Sequence, residues 1–256
     1  MQKRTFFALM LVIGTCFGSQ MASGQEDSSP WSGQTVVITG ANRGLGLELA
    51  RQLHAAGAQV IGTARKPEAA EELRKIGVRV EQLDVANAAS VAALAERLGD
   101  MKIDVLMNNA GIMPQRVQPS GVDLELMERV LAVNTTGPLR VSLALMPAMR
   151  RGEGKMIMNM SSGLGSITNN TNGAFADYRA SKAALNMISR SQAAELAPEG
   201  FIVVSMSPGW VRTDMGGDQA NLSPAESVEG ILRTLAGLEA SQSGGYFNHD
   251  GSELPW

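Results

Sequence analysis

The chain is poor in the residues that disulfide and metal chemistry require. Its 256 residues include one cysteine, Cys16, and two histidines, His54 and His249. A single thiol forms no internal disulfide, and two separated histidines without partners at ligand spacing give no zinc site. Positive charge is not in surplus either: 22 Lys and Arg face 25 Asp and Glu, a formal charge of −3. With no Lys/Arg-rich run and no interleaved aromatic stripe, nucleic acid is not an expected partner. Aromatic residues make up only 4% of the chain. The leading apolar run, Phe6 to Phe17, falls short of the ~20 residues of a membrane span, so no stable span is expected. What the chain does have is 44% apolar residues against 18% charged ones, a balance that suits a sizeable core and argues against disorder.

Lys3 and Arg4 precede that apolar run, and small and polar residues follow it through Gly24. A charged head, a short apolar middle and the ending Ala22-Ser23-Gly24 read as an export signal over residues 1–24. An exported protein is therefore expected, periplasmic or secreted; the alternative is a cytoplasmic protein translated from Met21. Residues 25–33 are polar and turn-rich and read as a linker, which leaves residues 34–256 as one domain.

In that domain apolar runs alternate with helical patterns. Strands are expected near 36–39, 59–63, 78–83, 103–107, 155–160, 202–206 and 245–248. Helices are expected near 45–56, 67–75, 88–98, 123–149 (interrupted at Gly137-Pro138) and 174–197. Ser223-Pro224-Ala225-Glu226 opens another, with Ser as cap, Pro in the first turn and Glu three residues on. This alternation implies a single doubly wound α/β domain, a parallel sheet of about seven strands covered by helices on both faces.

Directly after the first strand stands Thr39-Gly40-Ala41-Asn42-Arg43-Gly44-Leu45-Gly46, leading into a helix. Glycines there let backbone amides approach a nucleotide diphosphate, and the helix N-terminus adds partial positive charge. The second strand ends Thr63-Ala64-Arg65-Lys66, without the acid that would grip a free ribose. Arg65 at that end and Arg43 inside the turn suit a 2′-phosphate, since guanidinium pairs with phosphate through a planar fork. The expected cofactor is NADP(H), with NAD(H) as second choice.

Four ordered motifs carry a resemblance. The Gly-x3-Gly-x-Gly turn, Asn108-Asn109-Ala110-Gly111, Tyr178-Arg179-Ala180-Ser181-Lys182 and Pro208-Gly209 resemble the signatures of the short-chain dehydrogenases/reductases. The segments 208–217 and 249–256 resemble that family's C-factor and sniffer-type carbonyl reductase branch. The resemblance implies a Rossmann-type fold and hydride transfer between nicotinamide C4 and a carbonyl or alcohol carbon of a small molecule. It implies cofactor contacts from Gly40, Asn42, Arg43, Gly44, Leu45, Gly46, Arg65, Asp84, Val85, Asn109, Ala110, Gly111, Tyr178, Lys182, Pro208, Gly209, Val211 and Thr213. It also implies pairing into a homodimer or homotetramer, and a water held by Asn134 that links Lys182 to solvent.

Tyr178 and Lys182 lie four apart on one helix face. A phenol ionises near pH ~10, and a neighbouring ammonium together with an oxidised nicotinamide ring is expected to lower that value. Tyr178 is then the general acid or base. Ser162-Gly163-Leu164-Gly165 resembles the family's Ser-x2-Gly pattern, which implies Ser162 as the hydroxyl that polarises the substrate oxygen, with Ser161 as runner-up. The Asn- and Thr-rich stretch 168–172 lengthens the loop between Ser162 and Tyr178. Asn108 is expected to support the central strand. Rival functions are a non-catalytic NADP(H)-binding signalling protein, and an epimerase or dehydratase on the same scaffold.

Overall fold

Runs such as Thr35–Ile38 are buried at every position, and a strand of that kind is stable only when both faces of its sheet are covered. The computed structural model describes residues 29–256 and meets that requirement. The expected export signal, residues 1–24, lies outside the described residues. In chain order the elements are β1 (Thr35–Ile38), α1 (Gly44–Ala55), β2 (Gln59–Ala64), α2 (Glu71–Lys75), β3 (Arg79–Gln82), α3 (Ala88–Leu98) and β4 (Val105–Asn108). Then come α4 (Leu124–Leu131), α5 (Gly137–Arg151), β5 (Met156–Met160), α6 (Ala176–Leu196), β6 (Ile202–Ser207), α7 (Pro224–Ala236) and β7 (Tyr246–Asn248).

All seven strands are parallel, in the order β3-β2-β1-β4-β5-β6-β7. Alternation along β1 separates the two cores: Val36 and Ile38 pack with Leu49, Leu53 and Ile231, while Val37 packs with Leu94, Leu106 and Leu145 on the other face. The strand order reverses between β1 and β4, and a crevice opens at the carboxyl ends of those strands. Asn108 ends β4 fully buried and donates to Ser142 Oγ (3.1 Å) and Asn159 Oδ1 (2.9 Å), tying the central strands to α5. Its expected supporting role matches these bonds. Among the described residues, no helix is long and apolar enough to cross a membrane.

The break in the long helical stretch falls beside Gly137-Pro138 as expected, as a wide π-helical turn, Ala132–Thr136, that separates α4 from α5. One expectation needs correction. The linker reading fails at Trp31, which is 6% exposed and packs in the core beside α1 and β2. Polar neighbours hid one aromatic anchor.

Candidate active site

The turn after β1 is built from residues that give up side chains. Gly40 and Gly44 have φ of 65° and 54°, in the left-handed region where a Cβ is strained. A Cβ on Gly46 would stand 2.3 Å from the Gly40 carbonyl oxygen and 2.6 Å from Asn109 Nδ2. Thr39 Oγ1 accepts from the Asn109 and Ala110 amides, both at 3.0 Å. Asn109 Nδ2 in return donates to the Thr39 and Gly40 carbonyls at 3.0 and 3.1 Å. The Asn109 side chain therefore holds the turn.

The helix that follows has no side-chain N-cap at Arg43 and no acid in its first turn. Its leading amides and positive end are left without a protein partner, and an anion satisfies both. A cleft of about 400 Å³ lies against them. Its wall contains every predicted cofactor residue except Gly209 and Val211. Gly209 turns the chain at φ 76°, and buried Val211 bridges to Leu222, so both shape the segment that carries Thr213. The residues present thus fit a dinucleotide: uncapped amides for the diphosphate, an exposed Arg65 beyond them, and apolar Val85 beside Asp84. Arg43 Nη1 meets Asp214 Oδ2 at 3.3 Å, but both side chains are exposed and such a pair holds only weakly.

At the opposite end of the cleft α6 supplies Tyr178 and Lys182, which are 5% and 3% exposed. Lys182 Nζ donates to the Met160 carbonyl (2.7 Å) and lies 5.7 Å from the Tyr178 ring centre. The Ser162 hydroxyl accepts from the Leu164 amide at 3.2 Å and is the side-chain group that draws the Tyr178 phenol downward. Ser161 also lines the wall, yet its hydroxyl is turned to Asn186 Oδ1 (2.7 Å). Of the two serines, Ser162 faces the tyrosine. Asn134 does not line the cleft. It sits fully buried in the π-helical turn, bonded to both main-chain groups of Ile112 and to Ser181 Oγ, and so braces the segment beside Lys182.

The expected acidic shift of the phenol is absent from the protein alone. Burial pushes Tyr178 up to about 12, opposed by the Ser162 hydrogen bond, and burial brings Lys182 down to about 8. Desolvation disfavours both charged forms, and it outweighs the attraction the four-residue spacing suggested.

This makes Lys182 costly. Its ammonium forms in the fold only near pH 8 instead of its ordinary 10.5, a penalty of roughly 3 kcal/mol at ~1.4 kcal/mol per tenfold. Between those two pH values the unfolded chain binds more protons, so stability rises with pH across that window. Lys182→Met is expected to stabilise the free protein by roughly 1–3 kcal/mol at pH 7, after the loss of about 1 kcal/mol from the Met160 bond. The gain should shrink above pH 8 and be gone near 10.5. Denaturation midpoints at pH 7 and pH 10 check this; equal stability of the two proteins at pH 7 would contradict it.

The cleft also contains residues that sequence reasoning missed: Leu83, Ile112, Arg129, Val133 and Met160. Thr39 was missed too, although its place beside Gly40 was a usable signal. Among the described residues no three His, Cys, Asp or Glu side chains gather into a metal-binding cluster.

A family model described as short chain dehydrogenase matches residues 34–222. The chain is 45% identical over 154 residues to the "C-signal" protein of Myxococcus xanthus, covering 60% of this chain and 93% of that protein. The structure is similar to the carbonyl reductase Sniffer of D. melanogaster, with a TM-score of 0.82 and 34% identity over 88% of this chain and 100% of that one. It is equally similar to an NADPH-bound carbonyl reductase from chicken fatty liver, again with a TM-score of 0.82, 34% identity and the same coverage.

Proposed function

The chain belongs to the short-chain dehydrogenase family, and from that membership we propose that it is an NADP(H)-dependent carbonyl reductase acting on small aldehydes or ketones. One observation carries the reading: a buried tyrosine with a lysine behind it on the wall of the cleft that begins at the glycine turn, and a serine whose hydroxyl acts on the phenol. When bound, NADPH supplies a hydride from C4 to the carbonyl carbon. Tyr178, kept protonated by burial, gives its proton to the carbonyl oxygen, and the two additions complete the alcohol. The Ser162 hydroxyl donates to the same oxygen and polarises it. Lys182, anchored on Met160, is placed to hold the ribose end of the cofactor and to stabilise negative charge on the phenol. Met113, Met215 and the exposed Trp210 offer an apolar rim for the substrate.

Loss of nicotinamide absorbance with a panel of aldehydes and ketones, run with NADPH and with NADH, tests the proposal. Turnover with NADPH preferred is expected. Arg65→Asp should move the preference toward NADH by about 10- to 100-fold, the worth of one charge-assisted contact; an unmoved preference would reject Arg65 as the 2′-phosphate ligand. The similarity to C-signal favours a second reading, an NADP(H)-binding signalling protein, which tight cofactor binding without turnover would reveal.

A further inference from the structure

Tyr246 opens β7 and is 2% exposed. Its hydroxyl donates to the main-chain carbonyl of Ser162. Burial pushes this second phenol up to about 12 as well, so it stays a donor at any working pH. The chain beyond β7 turns back along it: the Leu254 amide donates to the Tyr246 carbonyl and the Asn248 amide to the Ser252 carbonyl, both at 2.8 Å. That return brings Trp256 onto Tyr246, with ring centres 5.4 Å apart at 29°, and the Arg190 guanidinium covers the indole at 5.4 Å. The Trp256 main-chain oxygen then accepts from the Thr168 amide (2.8 Å) and Ser166 Oγ (3.3 Å), both in the loop between Ser162 and Tyr178. Arg179 ties the same loop from the α6 side, through the Ala174 and Leu164 carbonyls. A cavity of about 490 Å³ lies between α6 and this tail, lined by Ala193, Ala194, Leu254 and both aromatic rings. Stacking and the two hydrogen bonds to its main-chain oxygen, not close packing from outside, therefore hold Trp256 in place.

The geometry points to residues 246–256 as a positioning strap: Tyr246 sets where Ser162 stands opposite Tyr178, and Trp256 fixes the loop that joins those two residues. Neither touches the reacting atoms; both act through Ser162 and the loop. This inference rests on the carbonyl reductase reading for its kinetic consequences but not for its structural ones.

The test uses the full chain with three substitutions. Tyr246→Phe removes only the bond to Ser162 and is expected to lower kcat about 5- to 10-fold, the worth of one hydrogen bond. Trp256→Ala is expected to raise KM for the carbonyl compound several-fold, and Trp256→Phe, which keeps a stacked ring, should restore it. NADPH affinity should stay within about twofold in all three, because none of these residues lines the cofactor cleft. Amide exchange between Ser162 and Gly173 should quicken at least tenfold in Tyr246→Phe and Trp256→Ala, and this readout needs no turnover. Unchanged exchange, unchanged kcat and KM, or an equal loss of NADPH affinity would each overturn the strap. If the unaltered chain reduced no carbonyl compound, the functional reading would fall alone and exchange would still decide the strap.

Discussion

Tyr178→Phe is expected to lower the rate of carbonyl reduction by about 10² to 10⁴-fold, the range supplied by a positioned proton donor. Phenylalanine fills the same space, so the change removes one oxygen from a site that is otherwise kept. Burial is what makes the oxygen matter. It pushes the phenol up to about 12 against the opposing pull of Ser162, so the group arrives at the reaction carrying its proton. Among the described residues in the cleft, no other group combines a transferable proton with this placement. The Ser161 hydroxyl is committed to Asn186, and the ammonium of Lys182 to Met160. Single-turnover reduction with NADPH already bound isolates the chemical step from cofactor binding. A rate within threefold of the unaltered protein would remove Tyr178 from the proton path.

Gly46→Ala is expected to weaken NADPH binding about 10- to 100-fold, in line with the ~1–3 kcal/mol of forced overpacking. The added carbon would meet a main-chain oxygen at 2.3 Å and the Asn109 amide nitrogen at 2.6 Å. Neither neighbour is the free end of a flexible side chain. Asn109 is held by two bonds to the turn carbonyls, so relief must come from spreading the turn itself. Spreading moves the first amides of α1 off their common target. Fluorescence titration of NADPH measures the loss, and the same variant should melt at a lower temperature. An unaltered dissociation constant would mean that these amides do not bind the diphosphate.

Both predictions rest on features legible in the chain before folding. The glycine spacing, the Tyr178–Lys182 spacing and the missing acid after β2 are local patterns, and local patterns survive into the structure. The capping box at Ser223 and Glu226 is another, present as expected. Boundaries moved by a residue or two, as at β4, which begins at Val105 and not at Ile103. What stayed hidden depends on distant neighbours. Nothing local marks Trp31 as a core residue, or Phe175 as the left-handed residue (φ 59°) from which α6 starts. In the protein alone the phenol moves upward, because spacing records the nearby ammonium and not the burial that weakens its charge; the expected lowering also invoked an oxidised nicotinamide ring. The Asn- and Thr-rich stretch was legible only as added loop length, whereas Asn170 and Asn172 accept from Gly173 and Ala174 and give it fixed turns. Its tether to Trp256 joins residues 90 apart in sequence, beyond the reach of any motif.

The fold-back after β7 has one more effect, on how copies of this chain meet. β7 is the last strand of the sheet, and a bare margin of that kind recruits strands from other molecules. Here Leu254 bonds to the Tyr246 carbonyl, Ser252 receives the Asn248 amide, and Glu253 bridges Phe247 in antiparallel register. The protein supplies its own short eighth ribbon, so end-to-end growth of the sheet through that side is blocked by its own backbone.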